Sequence, residues 1–209
     1  MRSHPHKSNN RIRQAIANEA ARIMVQEQQP NLGIAKRKAA SRLGVTSETN
    51  LPSNMEVEKA LSDYQSLFYP QKQQTHILHL LRQAHDAMCF FKSFKPFLVG
   101  RIISGTALPD APITLHLFVE TVETIMQFLM EHAIPYQETE QKIKYSKESS
   151  KVTPCYEITF AEQEFRLMIF SLVERRQAPL STIDGKPMRR MDLKSVANMI
   201  QCNSAESDY

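Results

Sequence analysis

The chain has 209 residues, 42% hydrophobic and 23% charged, with 11 Pro, 5 Gly, 3 Cys and no Trp. That length can bury a core, and the composition excludes a disordered chain, a glycine-rich fibre and a disulfide scaffold. The formal net charge of +4 is unevenly spread: residues 1–50 hold nine Lys/Arg against three acids, and the other 159 hold 17 against 19. A basic head on a near-neutral body hints at a polyanionic partner, though a solvated helix face gives the same count.

Residues 1–10 are polar and lack the apolar centre of a signal peptide, so they read as a disordered tail. A helix follows over 11–28, with Ile12, Ala15, Ile16, Ala20 and Ile23 near one stripe and Arg11, Arg13 and Arg22 among its polar positions. Pro30 and Gly33 interrupt it. A second helix fits 34–43, closed by Gly44, and Thr46–Asn50 is a loop. Ser53-Asn54-Met55-Glu56 has the Ser-x-x-Glu form of a capping box. It opens a helix on Val57, Leu61, Tyr64 and Phe68 that Pro70 ends. A fourth helix spans 75–94 on Ile77, Leu80, Leu81, Ala84, Met88 and Phe91, so 11–95 is a basic helical region.

The pattern changes at Pro96. Phe97–Ile103 is a short apolar run fit for a buried strand, and Ser104–Pro112 is turn-rich. Ile113–Val119 alternates, with Ile113, Leu115 and Leu117 on one side and Thr114, His116 and Phe118 on the other. Thr121–His132 is an amphipathic helix, Tyr136–Tyr145 a further strand, and 152–160 and 164–173 two strands joined by a hairpin at Ala161–Gln163. Asp184-Gly185 is a turn, 191–200 a last helix and 203–209 a second disordered tail. The class is α+β: a helical N-terminal region, then a mixed sheet with flanking helices over 96–202.

Residues 98–117 read Leu-Val-Gly-Arg-Ile-Ile-Ser-Gly-Thr-Ala-Leu-Pro-Asp-Ala-Pro-Ile-Thr-Leu-His-Leu. This resembles the signature of the nucleotidyltransferase superfamily, in which a strand ends in Gly-Ser, a turn often reads Arg-Gly-Thr-Ala-x-Pro-Asp-Ser, and the next strand carries Asp-x-Asp. Gly100 matches the first glycine and Ser104-Gly105-Thr106-Ala107-x-Pro109-Asp110 runs through the turn without a gap. The resemblance implies an enzyme that moves a nucleotidyl group from a triphosphate to a hydroxyl. Its Mg²⁺ would sit on a carboxylate pair sharing one strand face. Here those two positions are Pro112 and Thr114, the serine after the first glycine is Arg101, and the later strand Phe165–Phe170 offers no third acid.

The expectation is therefore a non-catalytic descendant with no Mg²⁺ and no other cofactor. It would bind a nucleotide, a nucleic-acid phosphate or a protein partner around Gly100, Arg101, Ser104, Gly105, Thr114 and His116. Arg101 is either a phosphate ligand or a surface cation paired to an acid such as Asp110. His116 either contacts the ligand or fills space under a helix. An enzyme using Glu120, Glu157 or Glu164 instead is a further reading.

A reading from another class places function in the basic helices. Nucleic acid would contact Arg11, Arg13, Lys36, Arg37, Lys38 and Arg42, and the cluster Lys186, Arg189, Arg190 and Lys194 could extend that surface. Residues 34–45 have the Ala-x-x-x-Gly-Val look of half a helix-turn-helix, but the helix that follows carries Glu56, Glu58 and Asp63 against Lys59, a poor balance for a DNA groove. His76, His79 and His85 do not share one helix face, and Cys89, Cys155 and Cys202 have no metal or redox spacing, so no metal site is assigned. Reduced thiols and the lack of a run of about 18 apolar residues give a cytoplasmic protein with no membrane partner.

Overall fold

The computed structural model describes residues 5–146 and 148–206, with side chains placed for 9–146 and 148–204. The chain divides into two compact units. The first comprises residues up to Gln73 with Leu108–Asp110 and Thr182–Asp184; the second comprises Gln74–Ala107, Ala111–Ser181 and the residues from Gly185 on.

The helical unit is built from α1 (Pro5–Gln26), α2 (Leu32–Arg42), a 3₁₀ turn (Glu48–Asn50) and α3 (Asn54–Phe68). The tail expected over 1–10 is helical from Pro5 on, because proline is tolerated in a first helical turn and nothing after it breaks the helix. Residues 1–4 lie outside the described residues. α1 packs against both α2 and α3. Its buried stripe is Ile16, Ala17, Ala20, Ala21, Ile23 and Met24, while Ala15 faces solvent. On α2 the buried residues are Ala35, Ala39 and Ala40, so small side chains dominate this contact.

Local signals set the helix ends. Asn31 caps α2 by accepting from the Ile34 N–H. Gly44 closes it at φ +67, letting the Val45 N–H reach the Ala40 carbonyl at 2.9 Å. The expected capping box opens α3: Ser53 Oγ accepts from Glu56 N at 3.2 Å, and Ser53 N donates to Glu56 Oε2 at 2.6 Å. Phe68, expected on the core stripe, is 57% exposed, and Gln65 takes the buried position.

The sheet unit begins within α4 (Pro70–Phe90), which starts one turn before the expected 75 because Pro70 both follows α3 and fits a first helical position. A 3₁₀ turn (Lys92–Phe94) occupies the last residues of the expected helix. From Gln74 on, α4 belongs with the sheet rather than with α1–α3. Its Leu80, Leu81, Ala84, Met88 and the following Phe91 join the sheet core.

The sheet has five strands in the order β1-β2-β5-β4-β3: β1 (Phe97–Val99), β2 (Ile113–Val119), β3 (Tyr136–Lys144), β4 (Ser150–Phe160) and β5 (Gln163–Ser171). β2 and β5 are parallel, and the other neighbours are antiparallel. The strand expected over Phe97–Ile103 stops at Val99. Gly100 turns the chain at φ +91, and Arg101–Ser104 form the one-turn helix α5, closed by Gly105 in the left-handed region. Ile102 and Ile103 are buried all the same, so the apolar run served a turn of helix as well as it would a strand. α6 (Glu123–Glu131) is shorter at both ends than expected. α7 (Leu193–Glu206) takes in 203–206 of the expected second tail, while 207–209 lie outside the described residues.

One sheet face packs Ile113, Leu115, Leu117, Tyr156, Ile158, Phe165, Leu167 and Ile169 into the main core with α4 and α6. The second face holds a smaller cluster of Phe118, Cys155, Met168 and Phe170. β2 is thus covered on both sides, and only Thr114 along it is incompletely buried. No helix among the described residues is long and apolar enough to cross a membrane.

The β4–β5 hairpin turns on Ala161 and Glu162, both at positive φ (49° and 64°), a backbone that Asn-Gly adopts with far less strain. Replacing Ala161-Glu162 by Asn-Gly should stabilise the chain by about 1–2 kcal/mol and raise the melting temperature by roughly 2–8 °C. An unchanged or lowered melting temperature would contradict this reading of the turn.

Candidate functional site

The second face of β2 carries Thr114, His116 and Phe118, and its two ends differ. At the His116–Phe118 end the face is closed by the segment that follows β5. This segment starts with a 3₁₀ turn (Leu172–Arg176) and rejoins the sheet where Met191 pairs with Leu98 beside β1. Glu174 anchors it. The Glu174 carboxylate accepts from Ser171 N (2.9 Å), Ser171 Oγ (2.8 Å), Tyr145 Oη (2.9 Å) and Lys151 Nζ (2.8 Å). Burial opposes its ionisation, but these donors prevail and hold its pKa down at about 2.

Arg190 closes the same end. Its Nε donates to His116 Nδ1 at 3.1 Å, and its Nη1 donates to the carbonyls of Glu174 (3.3 Å) and Arg175 (3.2 Å). The guanidinium carbon lies 5.1 Å from the Phe118 ring centre and 5.5 Å from that of Phe170. His116 is 3% exposed, with its ring centre 4.5 Å from that of Phe170. Burial, with the Arg190 charge second, pushes its pKa down to about 3, so the ring is a neutral acceptor at Nδ1. His116 therefore serves the closure of the face and does not line an open ligand site.

The other end of the same face is open and polar. Thr114 lies opposite Val99 of β1 on one side and opposite Arg166 of β5 on the other. Gly100 and Arg101 follow Val99 directly. Ser104 Oγ is engaged within its own turn, donating to the Arg101 carbonyl (3.2 Å) and pairing with Thr106 Oγ1 (2.9 Å). Gly105 supplies the left-handed residue that closes α5. Of the six expected ligand residues, Gly100 and Thr114 lie at this open end, Arg101 begins the helical turn that follows Gly100, Ser104 and Gly105 shape that turn, and His116 is sealed away.

Sequence reasoning did not include Arg166 in the site. Its Nε donates to Glu157 Oε1 at 3.0 Å from the neighbouring position on β4. A cavity of about 310 Å³ lies on the β3–β4 side of Arg166, lined by Pro112, Tyr136, Gln137, Glu157, Glu164 and Arg166 among others, and Gly100, Arg101 and Thr114 do not line it. Mg²⁺, implied by the nucleotidyltransferase resemblance, does not fit this end. Its two strand positions are Pro112 and Thr114, neither of which can supply a carboxylate, and the β5 neighbour of Thr114 is the cationic Arg166. Glu157 and Glu164 line the cavity, but Glu157 is paired to Arg166. Glu120 follows Val119 at the far end of β2, roughly 25 Å from Pro112 at about 3.3 Å per residue. Among the described residues no group of three His, Cys, Asp or Glu is placed to hold a metal.

In the helical unit, four of the six expected nucleic-acid contacts are held internally. Arg13 pairs with Glu56 (2.7 Å), Lys38 with Glu27, and Arg42 with Glu27 (2.7 Å) and Glu19 (3.2 Å). Lys36 donates to the Pro52 carbonyl (3.1 Å) and Asn54 Oδ1 (2.8 Å), and burial lowers its pKa. Arg22 and Arg42 hold the Glu19 carboxyl below its usual range, and Lys38 and Arg42 do so for Glu27. Arg11 and Arg37 are exposed and make no ion pair among the described residues. In the second basic cluster Arg190 points inward, as described above.

His116 gives the fold a directional pH response. It stays neutral when folded, whereas in the unfolded chain it gains a proton below about 6.5. Stability should therefore be full above pH 6.5 and fall by about 1.4 kcal/mol per unit as pH drops from 6.5 towards 3. Denaturant titrations at stepped pH should show this slope between pH 6.5 and 5, and His116→Gln, which keeps an acceptor for Arg190, should flatten it there. Equal slopes in both proteins would contradict the assignment.

In comparison with known proteins, the chain matches no family model, no curated protein and no solved structure.

Proposed function

We propose that the sheet unit is a nucleotidyltransferase-like module that binds the phosphates of a nucleoside triphosphate without metal and without turnover. The observation that carries this reading is the β2–β5 register, which sets Arg166 directly beside Thr114. The resemblance gives that patch to carboxylates and their Mg²⁺; here Arg166, paired to Glu157, is the β5 neighbour of Thr114, and Arg101 follows two residues after Val99 at the end of β1. Guanidinium groups bind phosphate oxygens through paired N–H donors, and a threonine hydroxyl between them adds a donor. Glu157 competes for Arg166 and sets the affinity.

Calorimetric titration with ATP in the presence of EDTA tests this. Binding should persist without metal. Arg166→Ala should weaken it about tenfold or more, as expected for loss of a charge-assisted pair. Glu157→Gln should strengthen it by freeing Arg166. Binding that requires Mg²⁺, or no binding at millimolar ATP, would overturn the proposal. The internal pairing of Arg13, Lys36, Lys38 and Arg42 leaves the basic helices with less support as a nucleic-acid surface.

A further inference from the structure

β3 is the outer strand of the sheet, and its far side pairs with no other strand among the described residues. At the other edge, β1 is covered by the Leu98–Met191 bridge. The hairpin closes with Tyr145 N donating to Ser149 O, which directs the backbone groups of the odd-numbered β3 residues towards β4. The N–H and C=O groups of Glu138, Glu140 and Lys142 therefore point outward. Leu180 N donates to the Lys144 carbonyl at 2.6 Å, consistent with the same phase and marking the end of the free edge.

The side chains on that strand follow a pattern with its own mirror. On one face run Glu138, Glu140, Lys142 and Lys144, and all four are exposed. Charges of one sign would protect an edge from pairing. Here the first half is acidic and the second basic. Two copies running antiparallel about Gln141 bring Glu140 opposite Lys142 twice, while Leu180, bonded to the Lys144 carbonyl, holds the place that Glu138 of the second copy would take. On the other face the same register sets Thr139 against Ile143 and Gln141 against its own counterpart. No opposed pair carries like charges.

We propose that the β3 edge is a homotypic interface through which a second copy of this chain joins antiparallel, making one continuous sheet about a two-fold axis at Gln141. The backbone ladder is centred on Glu140 and Lys142 of both copies. The ladder ends there, because Leu180 already holds the Lys144 carbonyl. Strand pairing plus exposed ion pairs makes a weak, salt-sensitive dimer.

Sedimentation equilibrium of the full chain over a rising concentration series tests this. A reversible dimer is expected, weakened by added salt. E140K and K142E each bring like charges together twice and should weaken association about tenfold or more. The double variant E140K/K142E restores complementarity and should recover it. An equimolar mixture of the two single variants should associate although neither does alone, which also shows that both are folded. A monomer at every concentration, a dimer indifferent to either reversal, or a mixture that fails to associate would overturn the proposal.

Discussion

Burial of β2 on both faces is the constraint on which the rest of the sheet unit depends. Its odd residues, Ile113, Leu115 and Leu117, lie in the main core, so this phase fixes the register with β1 and β5. The even residues must then be covered as well, and that demand shapes the segment after β5. A buried guanidinium is costly unless every face of it is met. Arg190 meets the His116 lone pair, two carbonyls and two aromatic rings, which offsets part of the cost of a charged lid over Phe118 and Phe170, while its buried Nη2 has no hydrogen-bond partner. Glu174 secures the start of the same segment.

The cover is confined to one end of that face. Two residues from His116, Thr114 is open and flanked by polar chemistry from β5 and the end of β1. One strand thus has a sealed structural node at one end and an open, polar end at the other. The node removes His116 from any ligand chemistry. The open end holds Arg166 in an ion pair with Glu157, and under the proposed function an incoming anion would exchange for the carboxylate. In the helical unit Arg13, Arg22, Lys38 and Arg42 are engaged in surface ion pairs with Glu19, Glu27 and Glu56.

Much of this was legible where a local signal was strong. The period-two run Ile113–Val119 marks β2 at both ends, and the Ser53 capping box and Gly44 closure stand where the residues indicate. The alternative readings of apolar runs were not separable: Phe97–Ile103 has no periodicity to tell a strand from a strand followed by a helical turn, and only the positive φ at Gly100 decides. Ser171-Leu172-Val173-Glu174 has the same Ser-x-x-Glu form as the Ser53 box and marks the end of β5, a signal that was present but embedded in an apolar strand. The partners of Arg13, Arg42 and Arg190 lie 43, 23 and 74 positions away in the chain, beyond any local pattern. Arg166 entered the site only through the β2–β5 register, which is a tertiary fact.

The central claim is that the side chains at the open end of β2 bind without catalysing. It is tested most directly by incubating the full chain with each α-labelled nucleoside triphosphate and Mg²⁺ or Mn²⁺, with a mixed pool of hydroxyl acceptors, and following label and pyrophosphate. The account predicts no metal-dependent transfer and no pyrophosphate release. Transfer that requires the metal and disappears in Glu157→Gln or Glu164→Gln would contradict it.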